Sequence, residues 1–368
     1  MIKYIGSKRV LVPLIERVVA RLPVRTACDL FAGTTRVGQA LRRGGLEVLS
    51  NDVASYSEVL GLAYVVAGEA EREAVREAVR ELAALPGAPG YFTKTFCEDA
   101  RYLQPRNGAR VDAIRDAIDA LALARVERGL VLTSLLEAAD RVDSTTGLQM
   151  AYLKRWAPRA RQDLELRVPA AVDGPAGTVA RRDANELAGT LDVDLVYIDP
   201  PYNQHSYFAN YHVWETLIRW DAPEPYGVAM KRADCRTTKS DYNSRRRARA
   251  ALDDLLDRVT APWMVVSFNN EGFHDPAHLR DALAEHGYVN HLEVDFKRYV
   301  GAQIGIHNGI GEKVGAVSHL RNKEVLFVVG PDRAIVERVF DGLGPPAGAG
   351  AARVTTSDAD LGPARPTR

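Results

Sequence analysis

Apolar residues follow two different rhythms along the chain, and each rhythm predicts its own kind of element. Near the start, Leu11, Leu14, Ile15 and Val18 recur at helical spacing, which predicts an amphipathic helix between Arg9 and Leu22. A short apolar run, Thr26-Ala27-Cys28, then ends in the turn Asp29-Leu30-Phe31-Ala32-Gly33-Thr34-Thr35 and passes into a helical pattern through Val37-Gly38-Gln39-Ala40-Leu41. A second run, Leu46-Glu47-Val48-Leu49-Ser50, stops at Asn51-Asp52. Strand, glycine turn, helix, strand and terminal acid predict the first βαβ unit of a doubly wound sheet.

From about Ser55 to Leu166 strand signals almost vanish, and helices are predicted over Gly68–Leu85, Val111–Ala124 and Arg128–Asp140. That stretch is too long for a simple crossover. Sheet character returns at Gly177–Asp183, Val193–Ile198 and Trp263–Phe268, and again at Tyr288–Phe296 and Glu324–Val329. The near-continuous apolar runs suit strands buried on both faces. After about Asp341 the chain is rich in Gly, Ala and Pro, which predicts a disordered tail over 341–368. The pattern therefore predicts one α/β domain from 1–54 and 177–340, with a helical insertion at 55–176. No repeat of fixed period is present.

Composition narrows the classes. The chain has 368 residues, 46% hydrophobic and 26% charged, which are globular proportions. Lysine plus arginine (48) equals aspartate plus glutamate (48), so a surface for a polyanion must come from local clustering. One cluster lies between Lys231 and Arg249, where eight basic residues face two acids. It reads either as a phosphate track or as a solvated helix face. Cys28, Cys97 and Cys235 lie far apart and match no zinc spacing, so reduced thiols and no metal are expected. No apolar run is long enough to span a membrane, and the start lacks a signal-peptide core. Secreted, membrane and disulfide-scaffold classes are excluded.

The most informative segment is Val196-Tyr197-Ile198-Asp199-Pro200-Pro201-Tyr202-Asn203, in which a buried strand runs into an acid, two prolines and a tyrosine. The prolines fix φ and remove two backbone donors, so the loop is stiff and its carbonyls remain acceptors. The Asp199 carboxylate and the Pro200 carbonyl form an acceptor pair suited to an exocyclic amine, which offers two N–H donors. Tyr202 can supply a flat face for a base. The bland alternative is a strand-ending turn.

This Asp-Pro-Pro-Tyr tetrad resembles the catalytic motif of amino-methyltransferases acting on adenine N6 or cytosine N4. The order of glycine motif, long insertion and tetrad is similar to that of the Dam-like alpha group of DNA adenine N6-methyltransferases. The longer run from Asp199 through Asn203-Gln204-His205-Ser206-Tyr207-Phe208-Ala209-Asn210-Tyr211-His212-Val213-Trp214-Glu215-Thr216 narrows it further. Together with Val266-Ser267-Phe268-Asn269-Asn270-Glu271-Gly272, it resembles the FokI-type restriction–modification enzymes, with Phe268 in place of their usual tyrosine. The resemblance covers residues 3–52 and 177–330.

It implies a Rossmann-like S-adenosylmethionine-dependent methyltransferase sheet with a mostly helical inserted recognition region. Asp199, Pro200, Pro201 and Tyr202 are then the catalytic residues, and S-adenosylmethionine is the methyl donor. Tyr4, Gly6, Ser7 and Lys8 match the motif near the methionine part of that cofactor. Asp29, Phe31, Ala32 and Gly33 match the next motif, where glycine lets backbone approach the cofactor's amino-acid end. Thr34-Thr35 departs from the family's richer glycine pattern. Asp52 matches the acid that meets the ribose, although locally it reads equally well as a helix cap. Asp183 matches the acid that meets the cofactor's adenine amine, or else a surface ion pair. DNA contacts are expected from Lys231, Arg232, Arg236, Lys239, Arg245 and Arg246, and from Lys154 and Arg155 in the insertion. The implied activity is site-specific methylation of adenine N6 in double-stranded DNA by the modification enzyme of a restriction–modification system. The protein is expected in the cytoplasm, as a monomer or weak dimer, with a cognate endonuclease as partner. A cytosine N4 or RNA adenine target, and a silent DNA-binding subunit, stay open at this point. A dinucleotide-binding dehydrogenase does not, because the turn lacks the three-glycine fingerprint.

Overall fold

The run Thr26-Ala27-Cys28 forms strand β1 (Thr26–Asp29), buried from Ala27 onward. Its partner in sequence forms β2 (Glu47–Asn51), with Val48, Ser50 and Asn51 buried. Between them lies the helix Arg36–Arg43, entered through Gly33 and Thr35 at φ of +50° and +61°. The turn thus reverses direction through left-handed backbone, which glycine adopts without steric cost. The computed structural model describes residues 2–6, 8–270, 272–297, 306–307, 313–315 and 321–344.

Among the described residues, the stretch after β2 contains no strand until β3 (Thr178–Ala180). Helices Ser55–Gly61, Glu69–Ala74, Arg76–Ala84, Pro105–Ala120 and Arg125–Arg141 occupy it, with π-helical turns at Leu62–Val66 and Thr93–Glu98. The expected helix over Gly68–Leu85 breaks at Val75. The one expected at Val111 starts earlier, at Pro105, because proline is well suited to a first helical turn that needs no donor. The later strands are β4 (Leu195–Ile198), β5 (Pro225–Tyr226), β6 (Lys231–Arg232), β7 (Trp263–Asn269), β8 (Tyr288–Lys297), β9 (Ile306–His307), β10 (Lys313–Gly315) and β11 (Arg321–Gly330). β2 and β3 pair with each other, β4, β7, β11 and β8 lie side by side in that order, and β5–β6 and β9–β10 are separate antiparallel pairs. Open α/β sheets present their ligand loops at the carboxyl ends of their parallel strands.

The chain divides into two compact units. The first comprises Met1–Ser7, Asp29–Ala184 and His205–Ser240. In it β2 and β3 run parallel, Leu49 opposite Thr178 and Asn51 opposite Ala180. The helices of residues 55–176 lie in this same unit and enclose a core that includes Leu60, Phe92, Phe96, Leu130, Leu135 and Trp214. Each such fully buried side chain contributes roughly 1.5–3 kcal/mol.

The second unit comprises Lys8–Cys28, Asn185–Gln204 and Asp241–Arg368. Here β4 and β7 run parallel and are buried along their whole lengths. β11 lies antiparallel to β7, with Glu324 directly opposite Asn269 and Val329 opposite Met264. Antiparallel strands at one side of a parallel sheet are common in doubly wound folds. Residues 341–344, expected in the tail, are hydrogen-bonded: Asp341 N–H donates to Arg338 O (3.0 Å), and Gly344 O accepts from Arg17 (2.7 Å). Residues 345–368 lie outside the described residues. The three cysteines are buried free thiols. No helix among the described residues is long and apolar enough to cross a membrane.

Candidate active site

In the first unit the turn after β1 is bound to the end of β2. Ala32 N–H donates to Asn51 O (2.8 Å) and Gly33 N–H to the Asp52 carboxylate (Oδ2, 2.9 Å). The other Asp52 oxygen accepts from Ala54 N–H at 2.9 Å, which ties the acid to the start of the helix Ser55–Gly61. Burial pushes the Asp52 carboxyl up from its ordinary value, while the backbone donors hold it down. The cap position of that helix is Ala54, so Asp52 is not itself the cap residue, and each of its carboxylate oxygens keeps a second lone pair for another donor.

A Cβ added to Gly33 would come 3.1 Å from the ring of Tyr4, so the turn presents bare backbone to an aromatic face. Tyr4 stacks on Tyr211 (centroids 4.4 Å) and Tyr207 (5.3 Å), and its hydroxyl lies 3.2 Å from that of Tyr56. Burial and these neighbours raise the Tyr4 phenol well above its ordinary pKa, so it is a neutral hydroxyl. Asp29 is buried, and its Oδ2 accepts from Gly38 N–H (2.8 Å) in the first turn of the following helix. Phe31 is half-buried beside Ala32, and Gly6 is exposed at φ +73°. Asp183 is exposed, one residue beyond Arg182, whose backbone N–H and carbonyl are both bound by the Asn51 amide at 3.1 Å. Ser7 lies outside the described residues. Tyr56 carried no local signal in the sequence.

In the second unit β4 delivers Asp199 to a different cluster. The side chain of Lys8, only 6% exposed, places its ammonium 3.0 Å from Asp199 Oδ1 and 3.2 Å from Glu324 Oε2. The Glu324 Oε1 atom accepts from the Asn269 amide at 2.7 Å. Lys8, which the resemblance put near the methionine part of the cofactor, thus has its charge on the tetrad's acid. Burial pushes the Asp199 carboxyl up to about 6; Lys8 opposes the rise and Glu324 adds to it. Burial alone would lower Lys8, but Asp199 and Glu324 together hold it well above the ordinary lysine value. Glu324 was not singled out from sequence, because its pairing with Asn269 is set by strand register.

The tetrad loop is braced from two sides. Phe273 N–H donates to Tyr202 O (2.8 Å), and a Cβ on Gly272 would meet the Tyr202 backbone and Cβ at 3.1–3.2 Å. Asn243 donates to Asn203 O at 2.8 Å. The Tyr202 ring lies 6.4 Å from that of Phe268 and carries the Lys8 ammonium 5.8 Å from its centroid. Pro200 is buried and Pro201 half-buried, so the carbonyl between them is held on a stiff segment.

The basic residues separate into two groups. Arg232 is not a phosphate contact: it is buried, with its guanidinium bidentate on Asp221 (2.7 and 2.8 Å) and bound to Asp234 (2.9 Å). Arg236 is exposed, over the Tyr226 ring at 4.1 Å, and the exposed Lys239 donates to Cys235 O. Lys231 is half-buried, while Lys154, Arg155 and Arg246 are exposed. Arg245 is exposed with its guanidinium 5.6 Å from the Phe273 ring, beside the brace of the tetrad loop.

The Asp199 carboxylate and the Pro200 carbonyl thus stand together on a stiff, braced loop at the end of β4. The chain belongs to the D12 class of N6 adenine-specific DNA methyltransferases, whose family model matches residues 4–261. It is 30% identical over 332 residues to the modification methylase StsI of Streptococcus sanguinis, covering 84% of this chain and 50% of that protein. It is 28% identical over 310 residues to the type II methyltransferase M.NlaIII of Neisseria lactamica, covering 80% of this chain and 92% of that one. Against M.FokI of Planomicrobium okeanokoites it is 28% identical over 307 residues, 77% of this chain and 47% of that protein. The chain therefore spans about half the length of two of these relatives and nearly all of the third.

Proposed function

We propose that this protein transfers a methyl group from S-adenosylmethionine to adenine N6 in double-stranded DNA, as the modification enzyme of a restriction–modification system. It acts in the cytoplasm, as a monomer or weak dimer, alongside a cognate endonuclease. The observation that carries this reading is the Asp199–Pro200 acceptor pair on its braced loop, in a chain of the N6-adenine family. The N6 lone pair is delocalised into the ring and is a poor nucleophile. Accepting both N–H groups at Asp199 and Pro200 favours a pyramidal nitrogen and fixes its line of attack. Because the amine is paired inside a duplex, the base must leave the stack at a cost of a few kcal/mol, and stacking on Tyr202 offsets part of it. We propose that residues 55–176 carry target recognition, with Lys154 and Arg155 among the contacts.

S-adenosylmethionine, when bound, supplies an electrophilic sulfonium methyl group. The first unit fits such a ligand: bare backbone at Gly33 suits its amino-acid end, with Asp52 for the ribose and Asp183 for the adenine amine. Gly33→Val puts a branched side chain into the Tyr4 ring and onto left-handed backbone. It is expected to raise the S-adenosylmethionine Kd at least tenfold by calorimetry; an unchanged Kd would remove this turn from the cofactor site.

Arg245 and Arg246 are proposed to hold phosphates beside the tetrad loop. The double variant R245A/R246A should reduce the slope of log affinity against log salt by roughly 0.9 for each phosphate that is no longer neutralised. An unchanged slope would make both a solvated face.

The reading as a whole is tested with purified protein, methyl-labelled S-adenosylmethionine and unmethylated duplex DNA, single-stranded DNA or RNA. Label is expected in duplex DNA. Label in RNA alone would move the substrate, and none at all would leave a silent DNA-binding protein.

A further inference from the structure

In the second unit the tetrad's acid belongs to a polar network with one member, Glu324, that lies in none of the family motifs. Glu324 stands opposite Asn269 in the β11–β7 register, so the two side chains share one face as a cross-strand pair. Asn269 donates to one Glu324 oxygen (2.7 Å) and Lys8 lies 3.2 Å from the other. The same Lys8 ammonium reaches Asp199 Oδ1 at 3.0 Å. The Glu324 side chain is 15% exposed and that of Lys8 6%. A carboxylate held this way, by a strand-fixed amide on one oxygen and a buried cation on the other, has one orientation.

We propose that Glu324 is a positioning residue for methyl transfer: it fixes Lys8 on one oxygen of Asp199 and leaves the three-group cluster with one net negative charge facing the substrate nitrogen. The inference rests on the methyltransferase reading above and deepens it. In the transfer, the N6 lone pair forms the new N–C bond as the S–C bond breaks and its electron pair stays on sulfur. The positive charge of the sulfonium passes to N6, which then loses one proton to the Asp199 carboxylate and on to solvent. Asp199 and Lys8 alone sum to zero charge beside that nitrogen. Glu324 restores the negative charge that the transition state needs, while Lys8 holds Oδ1 so that Oδ2 takes the substrate N–H.

The charged groups facing Asp199 are Lys8 from the N-terminal turn and Glu324 from β11. The phenols of Tyr197 on β4 and Tyr202 in the tetrad loop face the same ammonium. Glu324 raises the Asp199 carboxyl, so its removal lowers it. Activity requires the charged carboxylate, and the unsubstituted protein should lose kcat/KM as pH falls through about 6. In Glu324→Gln that acid limb moves to lower pH.

The experiment is a kcat and kcat/KM pH profile on duplex DNA for the full chain, Glu324→Gln and Glu324→Asp, with the Kd for S-adenosylmethionine measured in each. Glu324→Gln is expected to lose at least tenfold in plateau kcat, with the KM for DNA and the cofactor Kd held within twofold. Glu324→Asp keeps the charge, so its acid limb should stay near that of the unsubstituted protein and part of the plateau should return. An unchanged plateau in Glu324→Gln, or equal loss in both variants with no movement of the limb, would overturn the proposal. If Glu324→Gln does not fold, Glu324→Asp alone decides: a plateau as low as that of an inactive protein overturns it. Activity in the unsubstituted protein tests the underlying reading separately, and its absence would bring down both.

Discussion

Asp199→Ala loses methyl transfer by about 10²–10⁴-fold in kcat, the range seen when a group that acts on the reacting atoms is removed. On the proposed reading, one N–H of the substrate amine then loses its acceptor and the methylated nitrogen loses the base that takes its proton. The fold should survive the change. Removing one partner of a buried ion pair costs roughly 3–5 kcal/mol when the other is left uncompensated. Here the Lys8 ammonium keeps Glu324 at 3.2 Å, so it is not stranded. Thermal unfolding and cofactor titration should therefore stay close to the unsubstituted protein while labelled transfer disappears. Loss of folding together with activity would instead make Asp199 a structural acid.

Lys8→Met has the opposite electrostatic effect from loss of Glu324, and a larger one at neutral pH. Asp199 and Glu324 both lie against the Lys8 ammonium, so its removal leaves two half-buried carboxylates facing each other. Two carboxylates in one site cannot both ionise easily, and one is pushed strongly upward. Burial already holds Asp199 at about 6, and Lys8 is the group that opposes the rise. The acid limb should therefore move upward past neutral pH. Methyl transfer at pH 7 should fall at least tenfold and recover partly under alkaline conditions. A pH–rate profile superimposable on that of the unsubstituted protein would show that Lys8 does not govern the acid.

Much of the frame was legible because it is written locally. The run into Asp29, the Gly33 turn and the stop at Asn51-Asp52 each carry their meaning within a few residues, and the structure has strands and a helix there. The tetrad was legible for the same reason, since two consecutive prolines after a buried strand constrain their own backbone. What escaped is set by pairing between distant segments. The register of β11 on β7 puts Glu324 beside Asn269, and nothing in Arg321-Asn322-Lys323-Glu324 announces it. Lys8 reads as part of a cofactor motif in the sequence, whereas its burial and its two carboxylates belong to the folded chain alone. Arg232 failed in the other direction. It sits in a basic run that reads as a phosphate track, but Asp234 within the run and Asp221 upstream of it supply its counter-charge, a pairing that only the fold sets.

The most direct measurement digests genomic DNA from a host without its own methylases, expressing either the protein or Asp199→Ala, and resolves the nucleosides by mass spectrometry. N6-methyladenine is expected with the unsubstituted protein and none with the variant. N4-methylcytosine in its place, or N6-methyladenine at equal levels in both strains, would contradict it.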